Sequence, residues 1–339
     1  MKSINISKQK KLAVGVVGID LYGEYRRSQL RKVGVFDIVA VCDSDPKSLE
    51  GAAKVERASA YLDYDEMLRH PGLEAVVICT GFASHAKHAL AAMKKGLHIF
   101  IEQPLCASVE EALALRKAQQ ETGVVIGVGL KDCSRSSHLV LAQQSIRDGK
   151  LGIVTAVEMN VSHSGGLLVA KRDEKWRTEN PGGMLFLQGN IALHALRFLF
   201  GEVEEVIAMM RYDVNPATET ADAANVLLRY RSGLIGTLNC YHTTAYCYEL
   251  RIFGTKGNLY FETRTRKAWF QPRYEGKEEP REELQLPQIP RESDSDLLSW
   301  YNGIFQGTSV YPSLEDGIAA IMAVFAAEDS AKAKKAVQL

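Results

Sequence analysis

The feature that most constrains the fold is a series of short apolar segments that alternate with helical patterns over residues 12–128. The segments are apolar on both faces, which is typical of parallel strands covered by helices on each side. They are Leu12–Gly18, Ile38–Cys42, Ala75–Thr80, His98–Glu102 and Val124–Val128. This alternation predicts a doubly wound α/β domain with a parallel sheet.

Two of the intervening helices carry capping signals. Ser108 and Glu111 form a capping box for a helix over Val109–Thr122, which Gly123 ends. Ser84 is predicted to cap the helix that runs to Lys95.

The second half of the chain changes character. A helix over Ser136–Asp148 leads into a long strand over Val154–His163, and a further helix covers Met184–Phe200. Strand-like segments then follow one another without helices, which predicts an open, mostly antiparallel sheet in a C-terminal α+β domain. They are Val203–Met210, Ala224–Tyr230, Leu234–His242, Tyr248–Phe253, Leu259–Thr263 and Ala268–Gln271.

The predicted organisation is therefore two domains. The first domain takes residues 1–128, and a second, α+β domain takes residues 129–339. Two helices close the chain, the second opened by Ser313 with Asp316. These closing helices are able to pack back on the first domain.

Composition excludes several classes of partner. The 339 residues carry Lys+Arg 41 against Asp+Glu 41, so nothing favours a nucleic acid. Six cysteines lie apart with no Cys-x-x-Cys pair, which predicts reduced thiols in a cytoplasmic protein and no metal site. No apolar stretch has transmembrane length, and the apolar run after the basic N-terminus is too short for a signal peptide, so no membrane association is expected.

The loop after the first strand reads Gly18-Ile19-Asp20-Leu21-Tyr22-Gly23 and is placed like a Gly-x-Gly-x-x-Gly dinucleotide loop. Gly18 allows the tight turn, and Gly23 allows close packing of helix on strand. Asp20 stands where the backbone normally approaches a pyrophosphate, and one such charge pair at ~4 Å and an effective dielectric of ~20 costs roughly 4 kcal/mol. The alternative is that Asp20 turns away as a helix N-cap and a dinucleotide still binds.

Further candidate cofactor residues follow the next strands. Asp43 lies about 20 residues past the glycine loop, where an acid binds a ribose diol and repels a 2′-phosphate, so it predicts NAD over NADP. The alternative for Asp43 is a solvated turn residue. Thr80 and Gly81 follow another strand, at the edge where ligands bind in such sheets. His85 either lines this crevice or only decorates the first turn of a helix.

The run AVVICTGFASHAKHALAAMKKGLHIFIEQPL resembles the signature of the Gfo/Idh/MocA oxidoreductases, named for glucose-fructose oxidoreductase, inositol dehydrogenase and a rhizopine-catabolism protein. The resemblance covers nearly the whole chain. It includes Gly149-Lys150-Leu151-Gly152, Trp176-Arg177 before Pro181-Gly182-Gly183, Leu196-Arg197-Phe198-Leu199-Phe200-Gly201 and the Ser313 helix. It implies a Rossmann-like domain, an open-sheet domain and a substrate cleft.

The resemblance also implies site residues, with departures. The family carries Glu-Lys-Pro where this chain has Glu102-Gln103-Pro104, and glutamine does not titrate near neutral pH. The family's Asp-x-Gly-x-His-x-x-Asp pattern, laid without gaps, places Leu187, Ile191 and His194 at its first aspartate, its histidine and its last aspartate. A shifted register, which needs a gap, would place Asn190 on the first aspartate and His194 on the histidine. The cofactor contacts that the resemblance implies include Glu102, Gln103, Trp176 and Arg177.

The function expected from these residues is NAD-linked oxidation or reduction of a hydroxyl carbon on a sugar, cyclitol or related carbohydrate, with a non-standard proton-transfer set. The candidates for that set are Gln103, His194 and Lys131, and the candidate substrate residues are His163, Asn190 and His194. Two alternatives stay open: a catalytically inactive ligand-sensing or partner-binding protein, and elimination or glycoside cleavage through transient oxidation. The resemblance also predicts a homo-oligomer, a dimer or tetramer, formed through the C-terminal sheet.

Overall fold

The structure is a computed structural model that describes residues 10–130, 133–163, 181–214, 219–242, 244–276, 279–289 and 295–339. The chain divides into two compact units. Unit 1 comprises residues 1–131 and 291–318, and unit 2 comprises residues 132–290 and 319–339. The domain boundary at residue 128 stays a prediction.

Unit 1 contains a six-stranded parallel sheet in the order β3-β2-β1-β4-β5-β6. Its central strands are fully buried, because helices cover both faces, as the doubly apolar segments require. The predicted α/β fold is confirmed, and β3 was not predicted. The strands are β1 Leu12–Val17, β2 Phe36–Cys42, β3 Ser59–Tyr61, β4 Ala75–Ile78, β5 His98–Glu102 and β6 Ile126–Gly129.

Two helices of unit 1 begin directly after residues that the sequence offered as caps. The side chain of Asp20 accepts from the Tyr22 backbone N–H, and Ser108 accepts from the Glu111 N–H at 3.2 Å. Ser84 was predicted to be a cap, and this is wrong: it ends a 3₁₀ turn with a helical backbone, and its side chain makes no cap bond. The helices are α1 Leu21–Val33, α2 Pro46–Glu56, α3 Tyr64–Met67, α4 His85–Met93 and α5 Val109–Thr122.

A late helix, α8 (Ser295–Gln306), completes the core of unit 1. Trp300 is fully buried, stacks on Phe36 at a centroid distance of 5.9 Å and contacts Phe100 at 5.6 Å. Its indole N–H donates to the Val125 carbonyl at 3.2 Å. The aromatic helix therefore closes one side of the parallel sheet.

Unit 2 contains a nine-stranded mixed sheet in the order β14-β13-β12-β11-β7-β10-β9-β8-β15. Only β7 and β10 pair in parallel, so the sheet is mostly antiparallel, as predicted. The two short edge strands, β14 and β15, were not predicted. The strands are β7 Val154–His163, β8 Val203–Arg211, β9 Ala223–Tyr230, β10 Ile235–His242, β11 Cys247–Gly254, β12 Gly257–Glu262, β13 Lys267–Pro272, β14 Glu282–Leu284 and β15 Val337–Gln338.

The single helix predicted over Met184–Phe200 is divided. Leu185–Gly189 forms a π-helical turn, and α7 (Asn190–Phe200) continues from it. A side chain at Gly189 would lie 2.8 Å from the Leu185 Cδ1 and 3.2 Å from the Cys240 Sγ, so the wide turn packs directly on β10. Such π-turns frequently lie at functional sites. The remaining helices are α6 Ser137–Arg147 and α9 Leu314–Ala333.

None of the helices in the described ranges is long and apolar enough to cross a membrane.

Candidate functional site

The carboxyl ends of β1, β2, β4 and β5 lie at one edge of the unit 1 sheet, where the strand order reverses between β1 and β4. Gly18 has φ +79°, and a side chain there would lie 2.6 Å from the backbone of Cys79 and Thr80. Only glycine allows this approach. The glycine loop is thereby fixed against the end of β4, at the position where open α/β sheets bind ligands.

Two carboxylates engage the backbone of this loop. Asp43 Oδ2 accepts from the Ile19 N–H at 3.0 Å, and Asp43 Oδ1 accepts from the Asp45 N–H at 3.0 Å. Asp20 Oδ1 accepts from the Tyr22 N–H at 3.2 Å, as an N-cap. A pyrophosphate at the N-terminus of α1 would therefore meet two carboxylates that already accept hydrogen bonds from backbone amides of the glycine loop and of α1.

The segment after β4 is held by two histidines. His85 is buried, and its ring nitrogens each lie 2.8 Å from a carbonyl oxygen, that of Pro104 for Nδ1 and that of Thr80 for Nε2. Thr80 Oγ1 lies 3.3 Å from the Nδ1 of His88. Burial lowers the pKa of both histidines, that of His88 to about 4. Carbonyl oxygens lie against both ring nitrogens of His85, and a neutral imidazole donates to only one of them, so we expect any part it takes in cofactor binding to be indirect.

Glu102 and Gln103 form a connected turn at the end of β5. The Arg26 guanidinium donates its Nε–H to Glu102 Oε1, and Glu102 Oε2 accepts from the Gln103 backbone N–H at 3.2 Å. Burial raises the pKa of Glu102, and Arg26 opposes that shift. Gln103 Oε1 is buried and has no hydrogen-bond partner among the described residues. The turn therefore presents an unused acceptor at the carboxyl edge of the sheet.

In unit 2, His163 lies at the end of β7 beside two tyrosines. Its ring stacks with those of Tyr246 and Tyr248, each at a centroid distance of 6.2 Å. Tyr248 donates its hydroxyl to Gln188 Oε1 at 3.3 Å, which links the cluster to the π-turn. Burial lowers the pKa of His163. The Arg264 guanidinium also lies over the Tyr246 ring, 5.6 Å from its centroid, so the cluster combines aromatic rings with a neighbouring cation.

The other predicted residues of unit 2 lie on α7. Asn190 donates its Nδ2–H to the Phe186 carbonyl at 2.6 Å, while its Oδ1 is buried without a hydrogen-bond partner in the described ranges. His194 is buried, only 1 % exposed. Lys131, Trp176 and Arg177 lie outside the described residues, so their predicted roles stay predictions.

Several residues at these positions were missed by the sequence argument. They are Arg26, Gly129, Gln188, Tyr246, Tyr248 and Asp296. The available signal for Arg26 was its place in the middle of a helix that starts at the dinucleotide loop; the others depend on contacts far apart in sequence. In the part of the chain that the structure describes, no group of three or more His, Cys, Asp or Glu side chains is placed to hold a metal ion.

Comparison with known families agrees with both units. Residues 12–130 match the model of the oxidoreductase family with an NAD-binding Rossmann fold, and residues 139–260 match that of the GFO/IDH/MocA C-terminal domain. The chain belongs to the GFO/IDH/MocA oxidoreductase family, and its N-terminal domain is the family's NAD-binding domain.

Characterised relatives include two cyclitol dehydrogenases. The chain is 23% identical to myo-inositol 2-dehydrogenase of Thermotoga maritima, a match that covers 97% of this chain and 98% of that protein. It is 27% identical to scyllo-inositol 2-dehydrogenase (NAD(+)) of Bacillus subtilis over 75% of each chain. A third relative, 1-carboxy-3-chloro-3,4-dihydroxycyclo hexa-1,5-diene dehydrogenase of Comamonas testosteroni, is 28% identical, but the match spans only 49% of its length.

Solved structures share the fold along the whole chain. A putative NADPH-dependent oxidoreductase from Desulfitobacterium hafniense superposes with a TM-score of 0.87 at 19% identity, over 97% of this chain and 98% of that one. Levoglucosan dehydrogenase in complex with NADH superposes with a TM-score of 0.83 at 20% identity, over 97% and 99%.

Proposed function

We propose that the protein is an NAD-dependent oxidoreductase that acts on a CH–OH group of a cyclitol, sugar or related carbohydrate, with Gln103 in place of a titrating lysine. The observation that carries the proposal is the buried Oε1 of Gln103, which has no hydrogen-bond partner in the described part of the chain and lies at the same sheet edge as Gly18 and Asp43. The relatives support the substrate class, because two of them are named inositol dehydrogenases.

The residues of unit 1 suit the dinucleotide. Gly18 allows the loop to turn against β4, α1 presents its N-terminus, and Asp43 supplies a carboxylate for a ribose diol. When bound, NAD supplies the nicotinamide that exchanges a hydride with the substrate carbon. The charge of Asp20 at the start of α1 weakens this binding, and the bonds of Asp43 and Asp20 to the loop amides leave each carboxylate with free acceptor positions.

Gln103 accepts a hydrogen bond from the substrate hydroxyl and cannot accept its proton. Oxidation of the alcohol releases one hydride to the cofactor and one proton, so another group or water must take the proton. His194 is our candidate for this base, with Lys131 as the second. His163 and Asn190 are our candidates for holding the ring, His163 through the aromatic cluster that it forms with Tyr246 and Tyr248.

The proposed function is tested by NAD-dependent oxidation of a panel of cyclitols, sugars and glycosides, followed as NADH formation. Turnover of a cyclitol or sugar is the expected result. Tight binding of one such ligand with no turnover on any of them would replace the proposal with the ligand-sensing alternative.

We also propose that the protein is a homo-oligomer joined through the open face of the unit 2 sheet. Four large apolar side chains lie exposed on that face, and Ile207 and Leu227 are direct cross-strand partners. Contiguous exposed apolar surface of this kind marks an interaction site. The four residues are Ile207, Met209, Leu227 and Ile235.

A further inference from the structure

Arg26 lies in the middle of α1 and is almost fully buried, with 5 % of its surface exposed. Besides Glu102, its guanidinium reaches the Oδ2 of Asp296 and the Oε1 of Gln29, both at 2.9 Å from Nη1. It also lies over the Phe100 ring, 4.8 Å from the centroid. A charged group buried this deeply is stable only with such partners.

The pocket around this arginine is shaped for the ion pair. A side chain at Gly129 would lie 2.8 Å from the Glu102 carboxyl group and 2.9 Å from the Arg26 Nη2. The pair therefore fits because β6 has no side chain at that position. Asp296 is itself fixed, since its Oδ1 accepts from the Leu297 N–H at 2.8 Å at the start of α8.

Glu102 connects Arg26 to Gln103 in the ligand site. One carboxylate oxygen binds Arg26, and the other accepts from the Gln103 backbone N–H. Gln103 carries the buried Oε1 that accepts no hydrogen bond from any residue that the structure describes. Arg26 therefore binds Glu102, and Glu102 binds Gln103, the residue that the proposed function places against the ligand.

We propose that Arg26 is a positioning residue of the ligand site, which acts through Glu102 to fix Gln103 relative to the dinucleotide loop that begins α1. This inference rests on the proposed function. The helix that carries Arg26 starts at the glycine loop, and Gln103 directly follows the strand that ends at Glu102, so the ion pair joins the two segments to which the proposed function assigns the ligand.

Electrostatics agrees with this role. Burial alone would lower the pKa of Arg26 and raise that of Glu102, which would discharge both groups. The Glu102 and Asp296 carboxylates outweigh burial at Arg26, whose pKa ends above its ordinary value. Arg26 in turn opposes the rise at Glu102. Removal of the guanidinium would leave a buried carboxylate without its cation and release the Gln103 turn.

The test is a double-mutant cycle read out as the dissociation constant for NADH. Arg26→Met should weaken NADH binding by about tenfold in the wild-type background. In a Glu102→Gln background, the same change should have an effect of less than about twofold, because the group through which Arg26 acts is already neutral. Arg26→Lys should recover part of the affinity, since an ammonium holds Glu102 but lacks the planar fork that also reaches Gln29 and Asp296.

Arg27→Met is the matched control. Arg27 is the next residue of α1, its side chain is equally buried, and it pairs with Glu56 at 2.9 Å and with Glu24 at 2.5 Å. This variant should lower the melting temperature as Arg26→Met does and leave the NADH affinity unchanged. If Arg26→Met folds poorly, Arg26→Lys measured in the wild-type and the Glu102→Gln backgrounds carries the cycle.

Two failures are distinguishable. Equal effects of Arg26→Met in both backgrounds, or an NADH affinity that Arg26→Met leaves at the wild-type value, would overturn the positioning role and leave the proposed function intact. Wild-type protein that binds no NADH would overturn both.

Discussion

Asp43 Oδ2 accepts a hydrogen bond from the Ile19 backbone N–H at 3.0 Å, so the acid after β2 is joined to the glycine loop after β1. The bond holds the carboxylate at the sheet edge where a ribose would lie. The same carboxylate keeps lone pairs free for a diol. One residue therefore shapes the loop and sets the charge that a 2′-phosphate would meet.

We predict that NAD binds at least about tenfold more tightly than NADP, because the Asp43 carboxylate opposes a 2′-phosphate. Asp43→Asn should reduce the preference for NAD over NADP, since the asparagine side chain can still accept a hydrogen bond from the Ile19 N–H but carries no charge. Titration calorimetry with both dinucleotides at one ionic strength measures the ratio. Equal affinities in the wild-type protein would show that Asp43 only shapes the loop.

A second prediction concerns Asp20, whose carboxylate caps α1 beside the loop. Asp20→Asn should bind NAD more tightly than wild type, because asparagine preserves the cap and removes the charge. Asp20→Gly should also gain affinity and should cost only a few tenths of a kcal/mol in helix stability. If neither variant binds NAD better in a calorimetric titration, the carboxylate does not oppose the pyrophosphate.

The caps at Asp20 and Ser108 were predictable because each depends on residues two or three positions away. The alternating apolar segments likewise gave the strands and the parallel sheet of unit 1. Arg26 was not predictable in the same way, because its partners Glu102 and Asp296 lie 76 and 270 residues away in sequence. The sequence alone does not distinguish a buried arginine within a helix from a solvent-exposed one.

The division of the helix before α7 was also beyond the sequence. The apolar pattern over Met184–Phe200 fits a regular helix, whereas the structure has a π-turn that ends at Gly189, where the backbone closely approaches Cys240 on β10. The parallel pairing of β7 with β10 is a similar case, since segment order alone favoured antiparallel neighbours. Both features depend on contacts between segments that are far apart in sequence.

A third prediction follows from His242, a buried residue at the end of β10. Burial lowers its pKa to about 4; the neighbouring His163 adds to the shift and Asp222 opposes it. Since the folded-state pKa lies below the unfolded value, the stability it contributes is present above about pH 6.5 and is lost as the pH falls towards 4.

The free energy of unfolding in urea should therefore decrease from pH 7 to pH 4, with His242 contributing up to roughly 3 kcal/mol. His242→Gln should flatten that part of the profile. A His242→Gln profile that remains parallel to wild type would contradict the prediction.

The open face of the unit 2 sheet provides a fourth prediction. Leu227 is 55 % exposed on that face, and Leu227→Glu should shift the protein to a smaller species in light scattering coupled to size exclusion. Leu113→Glu places the same charge at a leucine of similar exposure on α5 of unit 1 and should leave the mass unchanged. Wild-type protein that elutes as a monomer would contradict the proposed oligomer.

The last prediction concerns proton transfer. Gln103 cannot accept a proton, and general-base help is typically worth ~10²–10⁴-fold, so oxidation of free polyols by the wild-type protein should be slow. We predict that Gln103→Lys alone does not restore a full rate, because the gapless register of the family resemblance places Leu187 and Ile191, which carry no polar groups, at the family's aspartate and histidine positions. His194→Ala should abolish whatever turnover the wild type shows.

The assay is NADH formation across the panel of cyclitols, sugars and glycosides, with wild type, Gln103→Lys and His194→Ala. Asn190→Ala serves as the control for His194→Ala, because Asn190 is a buried polar residue one turn away on α7 and is proposed only to hold substrate. Its loss should raise KM more than it lowers kcat, whereas loss of the base should lower kcat. Robust wild-type turnover that survives His194→Ala would refute His194 as the base and direct attention to Lys131.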